Sequence, residues 1–179
     1  MDLYHLPEAV LRGIYSQPVP YNGPLSSNYL DYEGKPWQVM WQEQLYMAVD
    51  SLGICKYHTT FLGATLPNYE EWSKLIYYNT GLEMSPLDIW TAADRTNNLE
   101  RLFNLREGLT RKDDWLVDRY FDEPTTLGIP LVRGRTIDRV KFKKMIDEFY
   151  QHRGWDENGV PKPETLKRLG IDKEPSHLL

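Results

Sequence analysis

The sequence predicts an all-α protein, on three observations. Apolar residues recur at three- and four-residue spacing along its longer stretches, and capping pairs and closing glycines frame those stretches. The strict apolar–polar alternation of a half-buried strand is nearly absent. The expected architecture is multihelical, an irregular helical bundle with long ordered loops.

Residues 6–15 suit a short helix entered at Pro7, because proline is tolerated in a first turn. The next stretch, SQPVPYNGPLSSNYLDYEGKP (16–36), carries four prolines and two glycines and is expected to be irregular. It is long for a loop, so it should pack against the helices. From Trp37 to Leu52 the residues Trp37, Trp41, Leu45, Ala48 and Leu52 form one helical face, widened by Met40 and Met47. Gly53 closes that helix, which leaves Cys55 in a turn whose backbone N–H groups are expected to face a ligand. Asn68 with Glu71 opens a third helix that ends at Gly81, and Ser85 with Asp88 opens a fourth that ends before Gly108.

Residues 109–135 mix Gly/Pro breaks with charge and read as an extended connector holding about one helical turn. Thr136 is the expected cap of the next helix, with Phe142, Ile146, Phe149 and Tyr150 inward. An Asn158-Gly159 turn and a short helix closed by Gly170 finish the pattern. Residues 1–34 are thus expected to be an irregular segment lying on a helical domain of residues 35–179, the whole making one domain.

Composition narrows the function. At 179 residues, 41% hydrophobic and 26% charged, the chain can bury a sizeable core. Its net charge of −5, with basic residues dispersed among acidic ones, argues against a nucleic-acid partner. No run is long and apolar enough for a bilayer and the first residues lack a signal-peptide pattern, so no membrane partner is expected. A single cysteine excludes an internal disulfide and suits a reducing cytoplasm.

Phosphate loops, dinucleotide glycine fingerprints, HExxH and CxxC are all missing. His5, His58, His152 and His177 are scattered and read as surface or capping residues. Asp113-Asp114 reads as a solvated charge cluster before a carboxylate pair. Arg153-Gly154-Trp155-Asp156 reads as a helix end with a Trp-anchored turn before a substrate clamp. The stretch DSLGICKY (50–57) is left. Asp50, a glycine that lets backbone approach a ligand, and the Cys55 thiol beside Lys56 make a half-site, against the plain alternative of a buried thiol.

Three segments in order, DSLGICKY, NLERLFNLREGLTRKDDWLVDRYFDEP and MIDEFYQHRGWDENGVPKPETLKRLGI, resemble the C-terminal region of the aldehyde:ferredoxin oxidoreductase family of tungsten- or molybdenum-bis-pterin enzymes. The resemblance covers roughly residues 35–171. It implies that Cys55 is the last of four cysteines holding a [4Fe–4S] cluster, that Asp50 hydrogen-bonds a pterin ring, and that the Gly53–Ile54 backbone lies against that pterin. The remaining helices would form one side of the cleft between the second and third family domains. Such enzymes convert aldehydes to carboxylic acids and pass electrons to ferredoxin, whereas relatives of the benzoyl-CoA type reduce aromatic acyl thioesters.

The family's β-rich N-terminal domain and its C-x-x-C-x-x-x-C segment have no counterpart here, and no residue stands in for its active-site Glu and His; His5 is not assigned that role. Val117 replaces the family's usual proline. With one thiol where a cubane needs about four ligands, this chain alone is expected to be inactive and to hold no cofactor. Its expected partners are the N-terminal pterin-binding portion, ferredoxin, and a second copy meeting an exposed aromatic face to form a homo-oligomer. The competing expectation is a stand-alone helical interaction module without catalysis.

Overall fold

A computed structural model describes residues 6–59, 66–128 and 130–172. Seven α-helices account for the described fold: α1 (Glu8–Tyr15), α2 (Lys35–Leu52), α3 (Tyr69–Thr80), α4 (Pro86–Arg106), α5 (Arg119–Asp122), α6 (Arg139–Arg153) and α7 (Pro163–Leu169). Short 3₁₀ turns lie at Lys56–His58 and Arg111–Asp114. Among the described residues there is no strand, only an isolated bridge between Trp155 and Pro161. The all-α expectation holds.

The centre is α2. Its Trp37, Met40, Trp41, Leu45, Ala48 and Val49 are buried together with Tyr69, Trp72, Ile89, Trp90 and Ala93 of α3 and α4. Burying each large apolar side chain contributes roughly 1.5–3 kcal/mol, so this face fixes where α2 lies. Leu52 and Met47 are only partly buried, so the inward face turns through Val49 as the helix proceeds. Trp37 stacks near Trp90, with ring centroids 6.4 Å apart, and Gln44 bonds Asn97. Each partner in the second contact lies the same distance further along its own helix, so α2 and α4 run in the same direction.

The irregular segment after α1 is tied to that core through its backbone. Trp37 Nε1 donates to the Tyr15 carbonyl at 2.8 Å and Trp41 Nε1 to the Gln17 carbonyl at 2.6 Å. Tyr21 stacks on Trp37 at 4.2 Å. The capping boxes expected at Asn68/Glu71 and Ser85/Asp88 both form.

At α6 the cap differs from expectation. Thr136 does not cap it; the Asp138 carboxylate accepts from the N–H groups of Val140 and Lys141, both at 2.9 Å. The Ile137 N–H is committed to the Tyr120 carbonyl and the Asp138 N–H to Tyr32 Oη, which holds the chain outside the helix until Arg139. Pro7 lies immediately before α1 rather than within it.

The last third closes over α4. Trp155 Nε1 donates to Asn98 Oδ1 at 2.8 Å, Arg95 reaches the Leu169 carbonyl at 2.8 Å, and Arg168 pairs with Asp94 at 2.8 Å. Arg153, fully buried, pairs with Glu43 of α2 and lies 3.6 Å from Asp94.

Candidate functional site

The end of α2 sets the geometry of residues 50–58. The Ile54 N–H donates to the Val49 carbonyl at 2.9 Å and the Gly53 N–H to the Asp50 carbonyl at 3.3 Å, the paired bonds of a Schellman motif. The motif needs a left-handed residue, and Gly53 supplies it at φ 67°. Ile54 packs against the main core and anchors the turn. Cys55 follows in extended conformation (φ −68°, ψ 122°) and is exposed.

Two expectations change here. The plain alternative of a buried thiol does not hold. Nor are the Gly53 and Ile54 N–H groups turned toward a ligand, because the helix end consumes both. What the turn offers is open space at Gly53, where a Cβ would meet nothing within 4 Å.

Asp50 is exposed on the last turn of α2, and Tyr46 lies one turn earlier on the same face. Past Cys55 the chain makes a 3₁₀ turn in which the His58 N–H donates to the Cys55 carbonyl at 2.9 Å. Thr59, fully buried, donates its hydroxyl to the Lys56 carbonyl at 2.6 Å. The Lys56 ammonium lies 5.2 Å from the Tyr46 ring centroid and 5.8 Å from that of Tyr57. This Tyr46–Lys56–Tyr57 cluster has no signal in the sequence spacing, because Lys56 reaches Tyr46 only by folding back past the helix end.

The donor set fits part of a cluster site. Among the described residues no group of three or more His, Cys, Asp and Glu could hold a metal ion. One exposed thiol can supply one corner of a [4Fe–4S] cluster, and the cubane takes about four. On the side where a Cβ would stand, the backbone at Gly53 is sterically open.

The other candidates of the sequence resolve into structure. Asp113 is the reciprocal partner of Thr110 in a capping box, and its hydrogen bonds from Thr110 hold its carboxyl below the usual range. Asp114 receives Arg101 in a two-point pair at 3.0 and 2.7 Å and also accepts from the Tyr150 hydroxyl. It is therefore not part of a solvated cluster. Burial, then the bond to Asp114, pushes the Tyr150 hydroxyl up to about 12. Arg153-Gly154-Trp155-Asp156 forms the expected helix end and Trp-anchored turn.

His152 is exposed and lies edge-on to Trp37 and Tyr21, and the desolvation of its ring beside them lowers its pKa. His58 is exposed. His5 and His177 lie outside the described residues. A cleft of about 810 Å³ opens between residues 21–36 and α6, lined among others by Tyr21, Tyr32, Lys141 and His152; Asp50, Gly53, Ile54 and Cys55 are not among its lining residues.

The described residues thus form an all-helical scaffold with one exposed thiol just past a Schellman-capped helix. The family model for aldehyde ferredoxin oxidoreductase, domains 2 & 3, matches residues 8–171, and the chain belongs to this family. Tungsten-containing aldehyde ferredoxin oxidoreductase of Pyrococcus furiosus is 35% identical over 130 residues, which cover 72% of this chain and 20% of that protein. The protein of the same name from Pyrococcus horikoshii is 33% identical over 132 residues, 73% of this chain and 20% of that one.

This chain thus spans about a fifth of the length of these relatives. Among solved structures it resembles a chain of the active-site complex BamBC of benzoyl coenzyme A reductase in complex with 1,5-dienoyl-CoA. The TM-score is 0.60 at 26% identity, covering 84% of this chain and 21% of that one. Among the described residues no helix is long and apolar enough to cross a membrane.

Proposed function

We propose that this chain is the helical C-terminal part of a tungsten- or molybdenum-pterin oxidoreductase that converts aldehydes to carboxylic acids and passes the electrons to ferredoxin. Residues 1–34 and 35–179 act as one domain in this reading. The observation that carries it is the exposed Cys55, held outward by the Schellman turn and the Ile54 anchor at the end of the best-packed helix. A lone structural cysteine is usually buried. An exposed thiol at this place suits a ligand for a site completed from elsewhere.

Within that site Cys55 is one cluster ligand, and the other three cysteines and the pterin-binding portion come from outside this chain. Asp50 accepts hydrogen bonds from the pterin edge, and the Gly53–Ile54 backbone receives the pterin's face by van der Waals contact, its N–H groups being engaged within the helix end. When bound, the pterin-held metal would supply two-electron chemistry on the aldehyde, and a cluster held in part by Cys55 would supply one-electron transfer. The chain's own residues bind and orient; none of them is assigned a proton transfer. By itself the chain is expected to be inactive.

The similarity to a benzoyl-CoA reductase chain favours a second reading, a subunit reducing an aromatic acyl thioester, with the same roles for Asp50 and Cys55. Anaerobic purification from the native organism through a tag on this chain tests both. Tungsten or molybdenum and iron should co-purify with a partner polypeptide or a longer form of the chain. Viologen-linked oxidation of aldehydes supports the first reading, and reductant-driven reduction of an aromatic acyl-CoA supports the second. Cys55→Ser should lower iron content and alter the cluster's EPR signal. Unchanged iron and an unchanged signal would remove Cys55 from the site, and recovery of the chain without metal would leave the interaction-module reading.

A further inference from the structure

We propose that the cleft between the Arg111–Asp114 turn and the turn at residues 156–160 is a binding site for a small apolar carboxylate. The hydrocarbon part lies on Trp115, Leu105 and Val160, and the charge is met by Lys112 and Arg111. The site involves neither Asp50 nor Cys55, so it stands or falls apart from the function proposed above.

The cleft measures about 670 Å³, a size suited to a small ligand. Its two walls come from distant parts of the chain and are tied together. Arg111 Nη1 donates to the Glu157 carbonyl at 2.7 Å, Nη2 pairs with Asp147 of α6, and the guanidinium lies 5.0 Å from the Tyr150 ring centroid. In the second wall Asp156 Oδ1 accepts from the Asn158 and Val160 N–H groups at 2.8 and 2.9 Å. The Trp115 ring is held by Phe121 and Phe142, each with its centroid 5.2 Å away. Walls that are already fixed lose little entropy when a ligand enters.

The lining joins apolar surface to charge of one sign. Leu105, Trp115 and Val160 supply the apolar part, and Val160 is exposed despite its aliphatic side chain. The charged lining residues, Arg111 and Lys112, are both cations. Among the described residues Lys112 enters no ion pair. Asp147 is shared between Arg111 and Lys143, so one carboxylate serves two cations. The Arg111 guanidinium also carries more N–H donors than its two bonds use. Asp113, next to Lys112, accepts from the Thr110 N–H and hydroxyl and does not line the cleft.

These features select a ligand class. A guanidinium and an ammonium favour an anion, and the planar fork of arginine matches a carboxylate. Apolar walls favour a hydrocarbon body over a bare inorganic ion. An aryl-substituted carboxylic acid meets both demands, with its ring against Trp115.

The test is an NMR titration of the isotope-labelled full chain with phenylacetate, with phenylacetamide as the uncharged probe and inorganic phosphate as the anion without an apolar body. Phenylacetate should shift the amide signals of Leu105, Lys112, Trp115 and Val160 together. It should bind at least about threefold more tightly than phenylacetamide, the scale of an exposed ion pair. Lys112→Met should weaken phenylacetate about threefold and Val160→Asp about tenfold, the second by setting a like charge in the cleft. Both positions are exposed, and unshifted signals elsewhere verify that each variant is folded. Equal binding of phenylacetamide, or equal shifts with phosphate, overturns the proposal. So do scattered or missing shifts with phenylacetate, and so does wild-type affinity in both variants.

Discussion

Arg101 owes its place in the interior to partners on every side. Its guanidinium forms the two-point pair with Asp114, donates from Nε to the Gly159 carbonyl at 2.8 Å, and lies over the Trp155 ring at 4.9 Å. A buried cation keeps its charge only while such partners replace water. Asp114→Ala should therefore destabilise the fold by about 2–3 kcal/mol, more than an exposed ion pair accounts for, since a charged hydrogen-bonded group is left without its acceptor. Urea unfolding followed by tryptophan fluorescence measures this; a loss below about 0.5 kcal/mol would show that water reaches Arg101 freely.

At the scale of elements the beginning of α6 separates two competing caps. Asp138 receives two N–H groups whereas Thr136 stands outside the helix, so Asp138→Ala should cost about 1 kcal/mol and Thr136→Ala far less. Comparing the two variants by chemical denaturation decides between them. The same spot shows how much was legible beforehand. Capping boxes at Asn68/Glu71 and Ser85/Asp88 were readable because they are local, two residues satisfying each other three positions apart. The cap of α6 was not, because it depends on the Tyr120 carbonyl and the Tyr32 hydroxyl, contacts that sequence spacing does not record.

The site divides in the same way. The closing glycine and the position of Cys55 were visible in DSLGICKY. That the cap uses up the N–H groups, and that Lys56 folds back onto Tyr46, emerged only from the packing. Asp114 looked like a solvated charge because its partners Arg101 and Tyr150 are distant in sequence.

For the molecule as a whole, the titrating groups define a window of pH. His152 has a pKa lowered from 6.5 by desolvation, so the unfolded chain binds more protons just below that value and stability falls as pH drops through it. Tyr15, Tyr21, Tyr69 and Tyr150 are raised above 10.0, each chiefly by burial. For these the folded state holds the proton longer. Their contribution is complete below 10.0 and is lost as pH rises beyond it, for Tyr150 up to about 12. Thermal melts across pH should show a plateau between about 6.5 and 10, with an alkaline decline that Tyr150→Phe makes shallower. An unaltered decline in that variant would assign the alkaline limb to the other tyrosines.

The Asp156–Gly159 turn carries a consequence at a distance. Gly159 has φ 77°, and a Cβ there would collide with the Arg101 guanidinium and with the Tyr150 ring. Shortening Arg101 would remove only one of those two obstacles, since the Tyr150 ring and the positive φ would remain. The bare Cα of one turn residue is thus what lets a guanidinium and a phenol meet around the Asp114 carboxylate, so any side chain at 159 would be felt at Asp114, 45 positions away in the chain, as well as in the turn itself.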